Sequence, residues 1–532
     1  MNSRIKIIVF VLFSLFGGTI NAIETSGSII ERNVITNTVI DNSLSGVFSY
    51  KVVRDSEGLS FSDQLNEQNT IYDIRDSFDL NKAAISIPSN SVLLFNGGII
   101  SNGTLIGQNT VIRADAVQIF DSDLSFSGTW SVDMFLVEWL GAKADSKTDN
   151  TIVLNKIFQT PFSNIKFSSG VYLVNETVFI NSIEEGNKLI RIQGSNDYSM
   201  DNNGTIIKTS SIAPIFSIKK RAYQLRIHDI HFFTTAYDGV GLDFEETLSE
   251  FHLSHLKFTG AFSTAIKMNG SIGTIEQCYF SEVLSKTARW RDVNVNRCAI
   301  DLSGSQISIN NCNFWRVRTG IKLGKVVSCA IYNNWFESSL HYDILFRAFT
   351  LTENVNIYNN TFLNAGYING KQYDSSAASL KFDGNDSALT FFCRTLNIYS
   401  NYCWNEIPLH FIDFEWNNNI ASSSSFSNIH VFKNDIDGNT SYLFYASVGA
   451  TALDIVFEGN SIKKTTLLFN DQYGRKYRCS DTPRFGNTKT RHSYIYWTQG
   501  DTYYDTDLGK LIIFVRNADK STWVDAMGAP AD

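Results

Sequence analysis

The amino-acid sequence predicts an all-β chain wound as a single-stranded, right-handed parallel β-helix of about 22–26 residues per coil. Three observations carry that prediction. An apolar pattern recurs at coil-length intervals, asparagines fall in register with it, and the composition suits stacked strands joined by polar turns. Charged residues make up only 18 % of the chain and prolines number 6, while 532 residues are enough to bury a large core in one to three domains.

The pattern is clearest in Ile331-Tyr332-Asn333-Asn334-Trp335-Phe336 and Ile357-Tyr358-Asn359-Asn360-Thr361-Phe362. Its leading apolar positions are Ile227, Leu253, Ile275, Ile309, Ile331, Ile357, Ile398, Val431 and Phe457, spaced by 26, 22, 34, 22, 26, 41, 33 and 26 residues. Five positions after each leader stand Phe232, Phe258, Phe280, Phe314, Phe336, Phe362, Cys403, Ile436 and Ile462, an inward stack. Three positions after it, Asn334, Asn360, Asn401, Asn434 and Asn460 predict a turn ladder of amides bonded from coil to coil. A further strand follows in each coil, led by Val240, Ile266, Ile300, Ile321, Ile344, Leu380, Leu409, Leu443 and Leu467. Two coils carry insertions before it, near 281–299 and 363–379, of a size typical of functional loops.

Outside the repeat, residues 1–22 read as a secretory signal: Arg4 and Lys6, the apolar run Ile7–Phe16, then Ala22. A secreted, periplasmic or cell-surface protein starting near Ile23 is expected, with no membrane span. Residues 23–66 read as a linker or extension, 67–135 as a small β-rich cap or first coils, 136–479 as the β-helix and 480–532 as a separate β module. The net charge of −8 argues against a nucleic-acid partner. The seven cysteines lack disulfide-framework or metal spacing and are expected as buried thiols.

The stretch Gly141-Ala142-Lys143-Ala144-Asp145-Ser146-Lys147-Thr148-Asp149-Asn150-Thr151 is similar to the G-A-x-x-D-G-x-x-D-D-T segment of the pectate-lyase-like β-helix superfamily, especially its rhamnogalacturonase/epimerase-like members. Ser146 and Asn150 stand where that family has Gly and a second Asp. The resemblance implies a short helix after Asp149, with Ile152, Val153, Leu154, Ile157 and Phe158 as its apolar set, and a β-helix acting on polysaccharide. The Asp-Asp pair and Gly-His-Gly of polygalacturonase-type members do not occur, so that carboxylate chemistry is not carried over. Tyr504–Lys510 and Trp523–Ala526 resemble a short module of phage tail-associated proteins.

The residue after each later-strand leader is expected to point outward, which places Lys267, Asp301, Lys322, Lys381 and His410 on one face. The insertions add Arg289, Trp290 and Arg291 on one side and Tyr373 on the other. Cations and aromatic rings in a groove suit an anionic, uronic-acid-type glycan; a solvated strand face with ordinary charges is the plain alternative. Asp301 and Asp343 could serve a hydrolase, while Lys322 and His410 could serve a lyase that quenches a carboxylate and removes a proton. Lys267, Arg289, Trp290, Arg291, Lys381 and Tyr373 would hold substrate. No metal site and no cofactor is indicated; Ca2+ stays open without a residue pattern for it. The competing reading is a noncatalytic glycan-binding adhesin or tail-like structural protein, for which a homotrimer is one assembly. A column of exterior aromatics, Tyr332, Tyr358, Tyr399 and Phe432, is expected to stabilise neighbouring coils, and Trp315 and Trp404 form a third, broken column with Glu337 between them.

Overall fold

The computed structural model describes residues 48–531 except 56–58, 181–188, 196–203, 219–221, 282–296, 348–350, 369, 375, 385–391, 417–424, 447–452, 463–466, 472–477, 480–484, 487, 489–501 and 518–519. The export signal and the Arg289, Trp290 and Arg291 expectations lie outside the described residues.

The chain is a parallel β-solenoid. Every strand pairing from Phe135 to Cys479 within its large sheet is parallel, each coil bonding the next. Each coil contributes to three faces, here called first, second and third in chain order. The first-face register runs Ile165, Ile192, Ile227, Leu253, Ile275, Ile309, Ile331, Ile357, Ile398, Val431, Phe457. Every first-strand leader read from the sequence is therefore in register, and two earlier coils extend the series.

The interior follows from this register. Phe232, Phe258, Phe280, Phe314, Phe336 and Phe362 stack with ring centroids 4.5–5.3 Å apart, close to the coil spacing of about 4.8 Å. Small residues at the next corner make room for these rings. A Cβ on Gly241 or Gly320 would meet the ring of Phe258 or Phe336 at 2.9 or 2.7 Å. Where the ring column ends at Cys403, Phe411 fills the space from the corner, its centroid 6.2 Å from that of Phe362. At the first turn, each ladder asparagine donates its side-chain N–H to the preceding coil's carbonyl and to the next asparagine's Oδ1. For Asn360 the acceptors are the Ile331 carbonyl at 2.9 Å and Asn401 Oδ1 at 3.0 Å. The same pattern holds from Asn334 to Asn434.

The N-terminal coils are parallel too: Ser49–Val53 pairs with Thr70–Ile74, which pairs with Val92–Phe95, which pairs with Thr104–Arg113. Their apolar side chains join the same core as the later coils. The extension assigned to 23–66 thus contributes a strand, Ser49–Val53, and a short helix, α1 (Phe61–Gln64), capped by Ser60. The leading helix α2 (Thr151–Ile157) lies where the sequence places it. Leu154, Ile157 and Phe158 are buried, but Ile152 is 80 % exposed, because the helix is two turns long and only one side meets the solenoid. Asp149 Oδ1 accepts from the backbone and hydroxyl of Thr151, as an N-terminal carboxylate should. Asn150, where the family has Asp, rivets the turn through Lys143 and the Leu173 carbonyl. Ser146, where the family has Gly, sits at φ 62°, a left-handed position that favours glycine.

The C-terminal module is a four-stranded sheet whose last three strands, Thr502–Asp505, Lys510–Asn517 and Lys520–Asp525, are antiparallel around Tyr503, Ile512 and Trp523. Cys278, Cys298, Cys312, Cys329, Cys393 and Cys403 are free and buried, as the spacing argument expects.

Candidate functional site

The third face carries the predicted groove column, with a corrected register. The paired positions are Leu242, Ile266, Ile300, Ile321, Ile344, Leu380, Ile412, Phe444 and Phe469, so Val240, Leu409, Leu443 and Leu467 are not the leaders. The slip has a physical cause. At this corner two successive residues turn inward, for example Gly320 with Ile321 and Phe411 with Ile412, and a period of two loses count across them. The outward column is therefore Asp243, Lys267, Asp301, Lys322, Leu345, Lys381 and Asp413. Asp413, not His410, shares the lysine register.

These charges answer one another. Lys322 Nζ lies 3.0 Å from Asp301, and Lys381 Nζ lies 2.7 Å from Asp413 with both side chains under 5 % exposed. Lys267 Nζ is 2.6 Å from Glu245; burial works against its charge, but the hydrogen bond and attraction of Glu245 win and hold its pKa above the ordinary value. His410 is one position before the inward pair, and burial, with the charge of Lys381, pushes it down to about 4. The structure brings Lys267, Asp301 and Lys322 onto successive coils, with Lys322 ion-paired to Asp301, Lys381 to Asp413 and the more exposed Lys267 to Glu245. Tyr373 lies in the second insertion beside Lys371, whose Nζ is 5.4 Å from its ring. That insertion is tied down by a His341–Asp374 hydrogen bond that the sequence reading did not anticipate.

Asp343 is elsewhere. It is an inward corner residue, fully buried beside Ser339, Ser379 and the Cys403 thiol, and so lies across the sheet wall from Asp301. The two carboxyls cannot flank one glycosidic bond in this arrangement. Burial pushes the Asp343 carboxyl up to about 7. A carboxyl raised in the folded chain holds its proton longer than in the unfolded chain, so its stabilising protonation is lost as pH rises from the ordinary carboxylate range through about 7. The stability difference between Asp343→Asn and the parent should therefore swing in favour of the variant as denaturant midpoints are measured from pH about 4 to about 8. A pH-independent difference would contradict this placement.

The second face differs from the third by being open. Its two outward columns are His231, Lys257, Tyr279, Asn313, Trp335, Thr361, Tyr402, Asp435 and, two residues on in each strand, Phe233, Thr259, Ser281, Trp315, Glu337, Leu363, Trp404, Asp437. Trp335, Tyr402 and Trp404 are 43, 38 and 36 % exposed. Trp335 and Tyr402 are two coils apart, roughly 10 Å along the axis. Trp335 Nε1 donates to Glu337 at 3.1 Å, and the Arg316 guanidinium covers the Trp315 ring at 4.4 Å. The second insertion, between Thr361–Leu363 and Ala378–Gly384, leaves the coil at the corner joining this face to the third. By contrast the first-face rings Tyr332, Tyr358, Tyr399 and Phe432 stack on one another at 4.9–5.0 Å and nearly parallel, which uses up their faces. The second-face columns were within reach of the sequence, four and six positions after each leader. In the sequence only Trp315, Glu337 and Trp404 stand out from these columns, because their polar and small members give no periodic signal.

No family model matches the chain, and no curated protein matches it. Solved structures resemble it in backbone path. PfbA, a surface adhesin of Streptococcus pneumoniae, aligns at 14 % identity and TM-score 0.42 over 64 % of this chain and 93 % of its own. An alginate lyase from a Paenibacillus species aligns at 10 % and 0.39 over 65 % and 99 %. DFA-IIIase from Arthrobacter chlorophenolicus aligns at 12 % and 0.41 over 61 % and 94 %. At these identities no residue role passes from those proteins to this chain.

Proposed function

We propose that this chain is an exported solenoid that binds an acidic polysaccharide lengthwise along its second face. The observation that carries the reading is the open aromatic platform of Trp335, Tyr402 and Trp404, whose ring faces are not consumed by neighbouring rings as those of the tyrosine stack are. Aromatic faces pack against the C–H faces of sugars while the polar rim keeps hydroxyl groups hydrated, and a ring on alternate coils matches a polymer that runs along the axis. Insertions on a rigid scaffold would wall the groove. A second reading is cleavage of the same glycan, by elimination or hydrolysis. Glu337 favours it, being a carboxylate set between Trp335 and Trp315 on the platform.

Calorimetric titration with acidic and neutral polysaccharides tests the binding reading. Trp335→Ala and Trp404→Ala are each expected to weaken binding roughly tenfold and to lower the unfolding midpoint less than loss of a core ring would, since both are more than a third exposed. Tyr358→Ala should do the reverse. Parent-like binding by both tryptophan variants would discard the platform. Release of reducing ends or of unsaturated uronate, abolished in Glu337→Gln, would establish the second reading.

A further inference from the structure

We propose that the pocket at the N-terminal end of the second face is a carboxylate-binding subsite, which seats one acidic sugar of the glycan against Ile206 and Phe233 with Lys208 and Lys257 on its carboxylate. This rests on the reading that the second face holds the glycan. The pocket is a cavity of about 440 Å³ lined by Ile206, Lys208, His231, Phe233, Lys257 and Thr259 among others, a volume within the range of small-ligand sites. Its lining residues sit on successive coils of the two outward columns, directly in line with Trp335 and Trp404.

The charge arrangement distinguishes this pocket from the third face. There, Lys267, Lys322 and Lys381 each lie within 3.0 Å of a carboxylate. Here neither Lys208 nor Lys257 forms an ion pair among the described residues, although both line one cavity. The acids nearest along the column are committed elsewhere. Asp145 accepts from Lys147, Thr148 N and the Thr148 hydroxyl, and Asp149 from Thr151 and Asn175. His231 adds no cation at neutral pH: burial, and then the charge of Lys257, pushes it down to about 4, and its Nε2 lies 2.7 Å from Thr259 Oγ1. Burial also lowers the Lys257 pKa, the signature of an ammonium short of solvent and of a counter-charge. Two cations over an apolar floor, with a neutral imidazole to share a hydroxyl hydrogen bond, match a sugar that carries one carboxylate.

The test uses the full chain and calorimetry with oligogalacturonate, alginate oligosaccharides and the carboxyl-reduced form of each. The parent should bind at least one acidic probe more tightly than its reduced form, and added salt should narrow the gap. Lys208→Met and Lys257→Met should each cost roughly tenfold for the acidic probe and leave the reduced one unchanged, with unaltered unfolding midpoints. A sulfated neutral glycan that binds equally well and responds to the same variants would show a general anion site and overturn carboxylate selectivity. A parent that does not prefer any acidic probe overturns the proposal, as do lysine variants with the parent's preference. If Trp335→Ala still weakens binding in that case, the platform stands and only the pocket assignment fails. If neither class of variant matters, the second-face reading fails with it.

Discussion

Asn401→Ala should lower the stability of the solenoid by about 3–5 kcal/mol, read as a drop in the denaturant midpoint. Asn401 donates to the Ile357 carbonyl and to Asn434 Oδ1, both at 3.0 Å, while its own oxygen accepts from the backbone and side-chain N–H of Asn360. Truncation leaves the Asn360 backbone N–H and the Ile357 carbonyl buried without these partners, at roughly 1–3 kcal/mol each, and opens a gap in the turn. Because a solenoid coil touches mainly its neighbours, amide exchange should speed up most around Ile357–Asn360 and Asn434. Asn397→Ala is the control: its amide bonds Asn356 at 2.9 Å on the outer surface, where water replaces the lost partner, and about 1 kcal/mol is expected. Equal losses for the two variants would refute a special role for the inner ladder.

That ladder was legible in the sequence because the first turn and the two strands around it keep a fixed length. Offsets of three and five from each leader hold from Ile331 to Phe457 even where coil length changes from 26 to 41 residues. The third face was less legible for the opposite reason. Length varies at the corner before it, and paired inward residues such as Asp343 with Ile344 break the alternation, so His410 was read where Asp413 stands. Periodicity also cannot tell an outward residue facing water from one covered and paired. Lys322 and Lys381 follow the outward pattern, yet both are almost fully buried, because Asp301 and Asp413 occupy adjacent positions on neighbouring coils. The aromatic face needed only two more offsets, but its meaning depends on exposure: Trp335 and Tyr358 are alike in sequence and opposite in what their rings touch. The pocket at Lys208 and Lys257 joins coils whose first-turn residues lack the asparagine signal, which is why it left no motif.

Asp413→Ala should cost about 3–5 kcal/mol, because it strips a carboxylate from an ammonium that is itself buried. Lys381 Nζ lies 2.7 Å from Asp413 and 5.7 Å from the centre of the Tyr342 ring, whose attraction for an ammonium is weaker than that of a full counter-charge. The double variant Lys381→Met/Asp413→Leu removes both charges and keeps apolar volume; it should recover most or all of the loss, as buried pairs rarely outperform well-packed hydrophobic side chains. Denaturant midpoints for the four proteins of this cycle give the coupling directly. The same double variant decides between faces. If the third-face lysines held the glycan, a stable protein lacking Lys381 would bind an acidic probe markedly less well. With the glycan on the second face, Lys381 is an internal partner of Asp413, and the folded double variant should bind as the parent does. Recovery of stability without recovery of binding would return the groove to the third face, between the two insertions.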